Sequence, residues 1–202
     1  SGSVATRSAI ITALLDEVDG VQSVKLFPNP TNNTTVEGVP PYTLMVVVYG
    51  GTTTDISEKL YSVLGCPTKT YGTTAYTKTT EDNGAEIIQH TKAVERKIAI
   101  RVSYLTTNGS VLSDTEKQNI TDKLLEVAST FNINTPVYNI QLVSAVSQVV
   151  SLTKFTALLV EVKNEDDLDE VFSSANINPD ITEICVLPEA NVSFKIIDYT
   201  VS

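Results

Sequence analysis

The segment Leu44-Met45-Val46-Val47-Val48-Tyr49 is the longest wholly apolar run in the chain, and its flanks fix what it can be. Pro40-Pro41 ahead of it forces an extended approach, and Gly50-Gly51 behind it permits an abrupt turn. A run rich in β-branched residues and bounded in this way reads as a central strand buried on both faces. Such a strand needs partners along its edges and layers above and below, so the chain must build an internal sheet. The run is far shorter than the ~20 residues that span a bilayer, and no membrane anchor is expected.

The surrounding punctuation fills in the other elements. Residues 4 to 18 place Ile11, Leu14, Leu15 and Val18 on one helical stripe, with Gly20 where a left-handed cap would end it. Val21 to Phe27 reads as a strand, followed by a polar loop from Pro28 through Gly38. After Gly50-Gly51, residues 54 to 64 align Ile56, Leu60, Val63 and Leu64, Asp55 with Glu58 resembles a capping box, and Gly65 stops the helix. From Gly72 to Tyr104 the period changes to two, with Asp82-Asn83-Gly84 as the turn of a hairpin. Ile98, Ile100, Val102 and Tyr104 then alternate with Lys97, Ala99, Arg101 and Ser103, which predicts a strand with one buried and one wet face.

Asn108-Gly109 makes a boundary, so the expected organisation is two α+β modules, 1-105 and 106-202, each a small helix-plus-sheet unit with mixed or antiparallel sheets. In the second, Ser113 with Glu116 caps a helix carrying Ile120, Leu124, Val127, Ala128 and Phe131 on one stripe. A further helix runs from Tyr138 to about Val149, and strands follow at Phe155 to Val162, Glu183 to Leu187 and Val192 to Val201. A helix followed by a strand occurs in both halves, as if the modules were related. All eight prolines fall between these elements.

Composition narrows the function classes. The 14 basic against 24 acidic side chains leave a net charge of −10, the wrong sign for sequence-independent nucleic-acid binding. Ser1-Gly2-Ser3, without a methionine or a signal segment, reads as a cloning remnant on a fragment of a longer protein. Cys66 and Cys185 lie far apart with no CxxC or neighbouring histidine, and are expected to be reduced core residues.

The search for chemistry is mostly negative. His90 is the single histidine, so any imidazole-dependent catalysis must use it; at the end of Ile87-Ile88-Gln89-His90 it reads as an exposed strand position. No GxGxxG, GxxxxGK[ST], HExxH or GxSxG occurs. Gly50-Gly51 before a helix invites a phosphate-loop reading, but without a following lysine a tight turn is favoured. The acidic run Glu165, Asp166, Asp167, Asp169 and Glu170 lacks the spacing of a calcium loop and reads as a solvated helix start. Glu81 and Asp82 read as turn residues, and Tyr71, Tyr76 and Tyr104 as cross-strand packing in preference to a carbohydrate platform. No catalytic, cofactor-binding or metal-binding residue is assigned.

The order of punctuation across residues 8 to 105 carries a resemblance. It reads AIITALLDEVDGVQSVKLFPN, then GVPPYTLMVVVYGGTTTDISEKLYSVLGCPTKTYG, then a hairpin with DNG, then KIAIRVSY. This resembles the baseplate J-like family of contractile phage tails, through Gly20, Gly38, Gly50, Gly51, Gly65 and Gly72 and through Pro40 and Pro41. The second half fits more loosely, through Pro136-Val137-Tyr138 and a terminal Leu187-Pro188-Glu189. Cys66-Pro67 stands where the family often has another glycine, and the amino-terminal part usual in complete members is missing, as for a carboxy-terminal fragment.

The resemblance implies a structural wedge component of a tail baseplate in the virion. It further implies no enzymatic activity and no cofactor, self-association in the assembled baseplate, and contacts with other baseplate wedge proteins. The residues themselves also leave open a non-catalytic binding module, such as an adhesin or glycan-recognition fragment, suggested by the Thr/Asn-rich loops and tyrosines, and an enzyme using His90 with an acidic partner.

Overall fold

A computed structural model, which describes residues 5–65, 68–166, 168 and 171–198, shows an α+β fold with four helices and two mixed sheets. The chain divides into two units, Ser1–Val94 with Asn132–Asn134 and Asp180–Glu183, and Glu95–Phe131 with Thr135–Pro179 and Ile184–Ser202.

In the first unit, Thr6 caps α1 (Arg7–Glu17) by accepting the Ala9 N–H on its Oγ1 at 3.2 Å. The buried face is Ile10, Ala13, Leu14 and, just past the helix, Val18. The predicted stripe through Ile11 and Leu15 is thus rotated by about one residue. The run Ala9 to Leu15 is apolar nearly all round, so spacing alone does not choose the face. β1 (Val21–Pro28) and β2 (Leu44–Gly50) pair antiparallel, Leu26 opposite Val46 and Pro28 opposite Leu44, with a bulge near the start of β1. Pro28, expected between elements, is the last residue of this outermost strand, where a missing N–H is tolerated.

α2 (Thr53–Leu64) follows the Gly50-Gly51 turn. Its cap is Thr52, whose Oγ1 accepts the Asp55 N–H at 3.3 Å and donates to Asp55 Oδ2 at 2.8 Å; the predicted Asp55/Glu58 pairing is not formed. The helix begins one turn earlier than that box would require. β3 (Thr70–Tyr71) and β5 (Ala85–Lys92) both run parallel to β2, and β4 (Thr74–Thr79) pairs antiparallel with β5, giving the order β1-β2-β5-β4 with β3 beside β2. The hairpin turn is as predicted: Asp82 Oδ1 accepts from the Gly84 N–H and from Thr80 Oγ1, and Asn83 takes φ +62°.

Leu26, Leu44, Val46, Val48 and Ile88 line one face of this sheet and pack with Ile10, Leu14, Ile56 and Leu60 from the helices. Met45 and Val47, which point the other way, are buried too, as a strand enclosed on both faces requires. Later chain completes the unit: the Ile133 N–H donates to Ser23 Oγ at 3.3 Å, the Asn134 N–H to the Glu183 carbonyl and the Val94 N–H to the Thr182 carbonyl, each at 2.8 Å.

The second unit is organised about β6 (Val94–Thr106). The predicted boundary after residue 105 placed this strand in the first module; its ladder partners instead lie downstream, and the units divide at Val94. α3 (Asp114–Ala128) carries the predicted capping box, Ser113 Oγ accepting the Glu116 N–H at 3.2 Å and Glu116 Oε2 accepting the Ser113 N–H at 2.9 Å. α4 (Asn139–Val149) follows, and then β7 (Phe155–Asn164), β8 (Glu183–Val186) and β9 (Val192–Ile196).

β7 is antiparallel and β9 parallel to β6, with β8 bonded to the β6 edge opposite β7. Ile98, Ile100, Val102 and Tyr104 are fully buried against Ile120, Leu124, Leu142 and Val146. The other face is not simply wet, because Ala99 and Ser103 are buried as well. The two helices are consecutive here but separated by two strands in the first unit, so the element order is not repeated. Among the described residues, no helix follows β7 at the acidic run: Glu165 and Asp166 form a bend, and Asp167, Asp169 and Glu170 lie outside the described residues.

Candidate interaction surfaces

The residues singled out from sequence are not brought together. His90, expected to be exposed, is fully buried on the helix-facing side of β5, two residues beyond Ile88. Both ring nitrogens lack a hydrogen-bond partner among the described residues. Burial, with repulsion from Lys92 adding to it, lowers its pKa to about 4, so at neutral pH the ring is uncharged. The alternation Ile88, His90 has a buried partner in Ile88, which was the available signal that His90 shares its face.

Cys185 is buried in the second unit's core, as expected, and Cys66 lies outside the described residues. Tyr104 is also in that core, edge-on to Phe155 with ring centres 6.3 Å apart, and its Oη accepts the Leu112 N–H. It therefore contributes to no exposed platform with Tyr71 or Tyr76, which belong to the first unit. Gly50 and Gly51 both have positive φ, and a Cβ on Gly50 would stand 2.0 Å from the Gly20 carbonyl oxygen. The glycine pair is a tight crossing of backbone on backbone, and at the start of α2 the Asp55 N–H is met by Thr52 Oγ1. Among the described residues, no group of three or more His, Cys, Asp or Glu side chains stands where it could hold a metal ion, and no helix is long and apolar enough to cross a membrane.

The polar surface of the first unit is organised around α2 and the hairpin. Glu58 on α2 accepts from the Tyr76 hydroxyl at 2.5 Å and from Lys78 Nζ at 2.7 Å, both on β4. Lys78 also lies 5.6 Å from the centre of the Tyr61 ring. The Lys78 and Tyr76 bonds hold the Glu58 carboxyl below its usual range, and Glu58 in turn raises both partners. Beside this cluster lies a shallow groove of about 760 Å³ whose lining includes Tyr61, Lys78, Glu81, Asp82 and Glu86. Lys78 is engaged by Glu58, so the charge left facing the groove is negative.

The same unit presents a loop, residues 29–43, set by one buried side chain. Asn29 Nδ2 donates to the carbonyls of Asn33, Val39 and Pro40 at 2.7 to 2.9 Å, and its Oδ1 accepts from the N–H and hydroxyl of Thr31. Tyr42, at φ +53°, and Val36 stand exposed on it. In the second unit, Phe172 lies over two cations of the outward sheet face, 4.5 Å from the Arg101 guanidinium and 5.2 Å from Lys163 Nζ. Glu161 accepts from Arg101 and from Ser103 on that face. Both surfaces are extended and built on rigid elements, and none of these groups converges on an enclosed cleft.

No family model matches the chain, and no curated protein does. Among solved structures, it is similar to a chain of the anti-feeding prophage baseplate, solved by cryo-EM with six-fold symmetrisation. The TM-score is 0.54 at 10% identity, over 90% of this chain. The likeness is one of fold. The match spans 37% of that prophage chain's length.

Proposed function

We propose that this chain is a structural, non-catalytic component of the baseplate wedge of a contractile phage tail. In this reading it associates with copies of itself and with neighbouring wedge proteins, and its place is the tail baseplate of the particle. The observation that supports this is the likeness of its fold to a baseplate chain over nearly its whole length. The punctuation Gly38-Val39-Pro40-Pro41 to Gly50-Gly51, on which the resemblance to the baseplate J-like family stands, supports it from the sequence side.

The mechanism is mechanical. Two units with packed cores act as rigid bodies, and contraction repacks the contacts they make with other subunits. Co-expression with the adjacent baseplate proteins, followed by affinity capture and light scattering, tests this. Recovery of a complex larger than the single chain is expected. A chain that stays monomeric and captures no baseplate protein overturns the reading.

A further inference from the structure

Sheet edges carry rows of unpaired N–H and C=O groups, and folded proteins blunt them with prolines, bulges, charges or covering segments. Three of the outer strands here show such devices. β1 is bulged near its start and ends in Pro28. β7 is bulged near Phe155, and Val162 on its outer side is bridged to Ser173. β9 is five residues long and carries an exposed Lys195.

β4 differs. It closes the first unit's sheet beyond β5, and among the described residues no strand lies on its outer side. It has no proline and no register shift against β5, and its outward-facing side chains are Ala75, Thr77 and Thr79, all exposed. Its one charged residue, Lys78, points toward α2 and is held by Glu58. The adjoining face carries Ile87, exposed and directly opposite Thr77 on β5. The groove at the hairpin end of this edge is lined by the exposed Glu81 and Asp82 and the half-buried Glu86.

We propose that the outer edge of β4 is an interaction site that takes an extended, lysine- or arginine-bearing segment of another protein as an added strand. Backbone pairing along residues 74–79 supplies the register, and Thr77 and Ile87 supply a β-branched surface for alternate side chains. The carboxylates at the turn select for positive charge. A second copy of this chain is the poorer occupant, because its net charge of −10 matches the sign of the groove. The proposal names a surface and a partner chemistry within the assembly reading, yet the binding event itself is testable without that assembly.

The probes are two synthetic peptides of about six residues, one alternating lysine with threonine and one alternating glutamate with threonine. They are titrated into the full chain and followed by backbone amide shifts. The lysine peptide is expected to shift amides of 74–79 and the turn, and to weaken steeply with added salt. The glutamate peptide is expected to leave them unmoved.

Thr77→Lys places on the edge the charge that natural edges use for protection, and should weaken the lysine peptide by at least about tenfold. Glu81→Lys, at the turn and outside the ladder, should do the same, with circular dichroism confirming that each variant is folded. Equal binding of both peptides overturns the proposal, as do shifts away from β4, unchanged affinity in both variants, or dimers of the chain alone that Thr77→Lys abolishes. Loss of peptide binding in a chain that still captures baseplate proteins removes the edge and leaves the assembly reading. Peptide binding in a chain that captures none does the reverse.

Discussion

Tyr76 on β4 and Glu58 on α2 share a hydrogen bond of 2.5 Å that ties the outermost strand of the first sheet to the helix above it. With Lys78 on the second carboxylate oxygen, the contact fixes how β4 is held while leaving its outer edge untouched. Because Glu58 raises the Tyr76 phenol above its ordinary value, one tyrosine should titrate late in an ultraviolet pH titration. Glu58→Gln should return it to the ordinary range and slightly lower the thermal midpoint. An unchanged tyrosine titration in that variant would contradict the assigned contact.

A second prediction concerns acid stability. His90 holds a folded pKa near 4 against an ordinary value of 6.5, so the unfolded chain binds this proton more readily than the folded one. The sign follows: stability is complete above about pH 6.5 and declines as the pH falls toward 4, with a total of about 3 kcal/mol from this group. Urea denaturation across that window should show the slope, and His90→Leu should flatten it while changing little at neutral pH.

The contrast between His90 and Val47 shows what a sequence displays. The β2 run was legible, down to burial on both faces, because its composition and its Pro and Gly flanks are local. The hairpin turn and the Ser113/Glu116 cap were legible for the same reason. His90 was misplaced because its burial depends on α2 and on the neighbouring strand, which are distant in sequence. The same cause rotated the α1 stripe, put β6 in the wrong unit and hid the buried state of Ala99 and Ser103. The candidate edge was invisible at that level, since the strand order β1-β2-β5-β4 cannot be read from alternation.

Gly50→Ala should be among the most damaging single substitutions. The added methyl would stand 2.0 Å from the Gly20 carbonyl oxygen at a φ of +84°, so both clash and backbone strain oppose it. We expect a loss of about 3 kcal/mol or more by chemical denaturation. A cost under about 1 kcal/mol would mean that the crossing is looser than described.

Asn29→Ala removes the two amide N–H donors that three carbonyls share and the two hydrogen bonds that Oδ1 accepts, all from one buried side chain. It should cost about 2 to 3 kcal/mol and raise amide exchange throughout residues 29–43. Tyr42→Gly in the same loop relieves a positive φ and should leave stability unchanged or slightly higher.

The strand β2 takes ladder partners on both sides, and two of them, β3 and β5, arrive only after α2. During synthesis, or in any fragment cut short of residue 92, the Val47–Val48 backbone waits without its full set of partners, in a strand with both surfaces oily. That interval is when misassembly into fibrils or inclusion bodies threatens this protein most, and a chaperone would be needed earliest there.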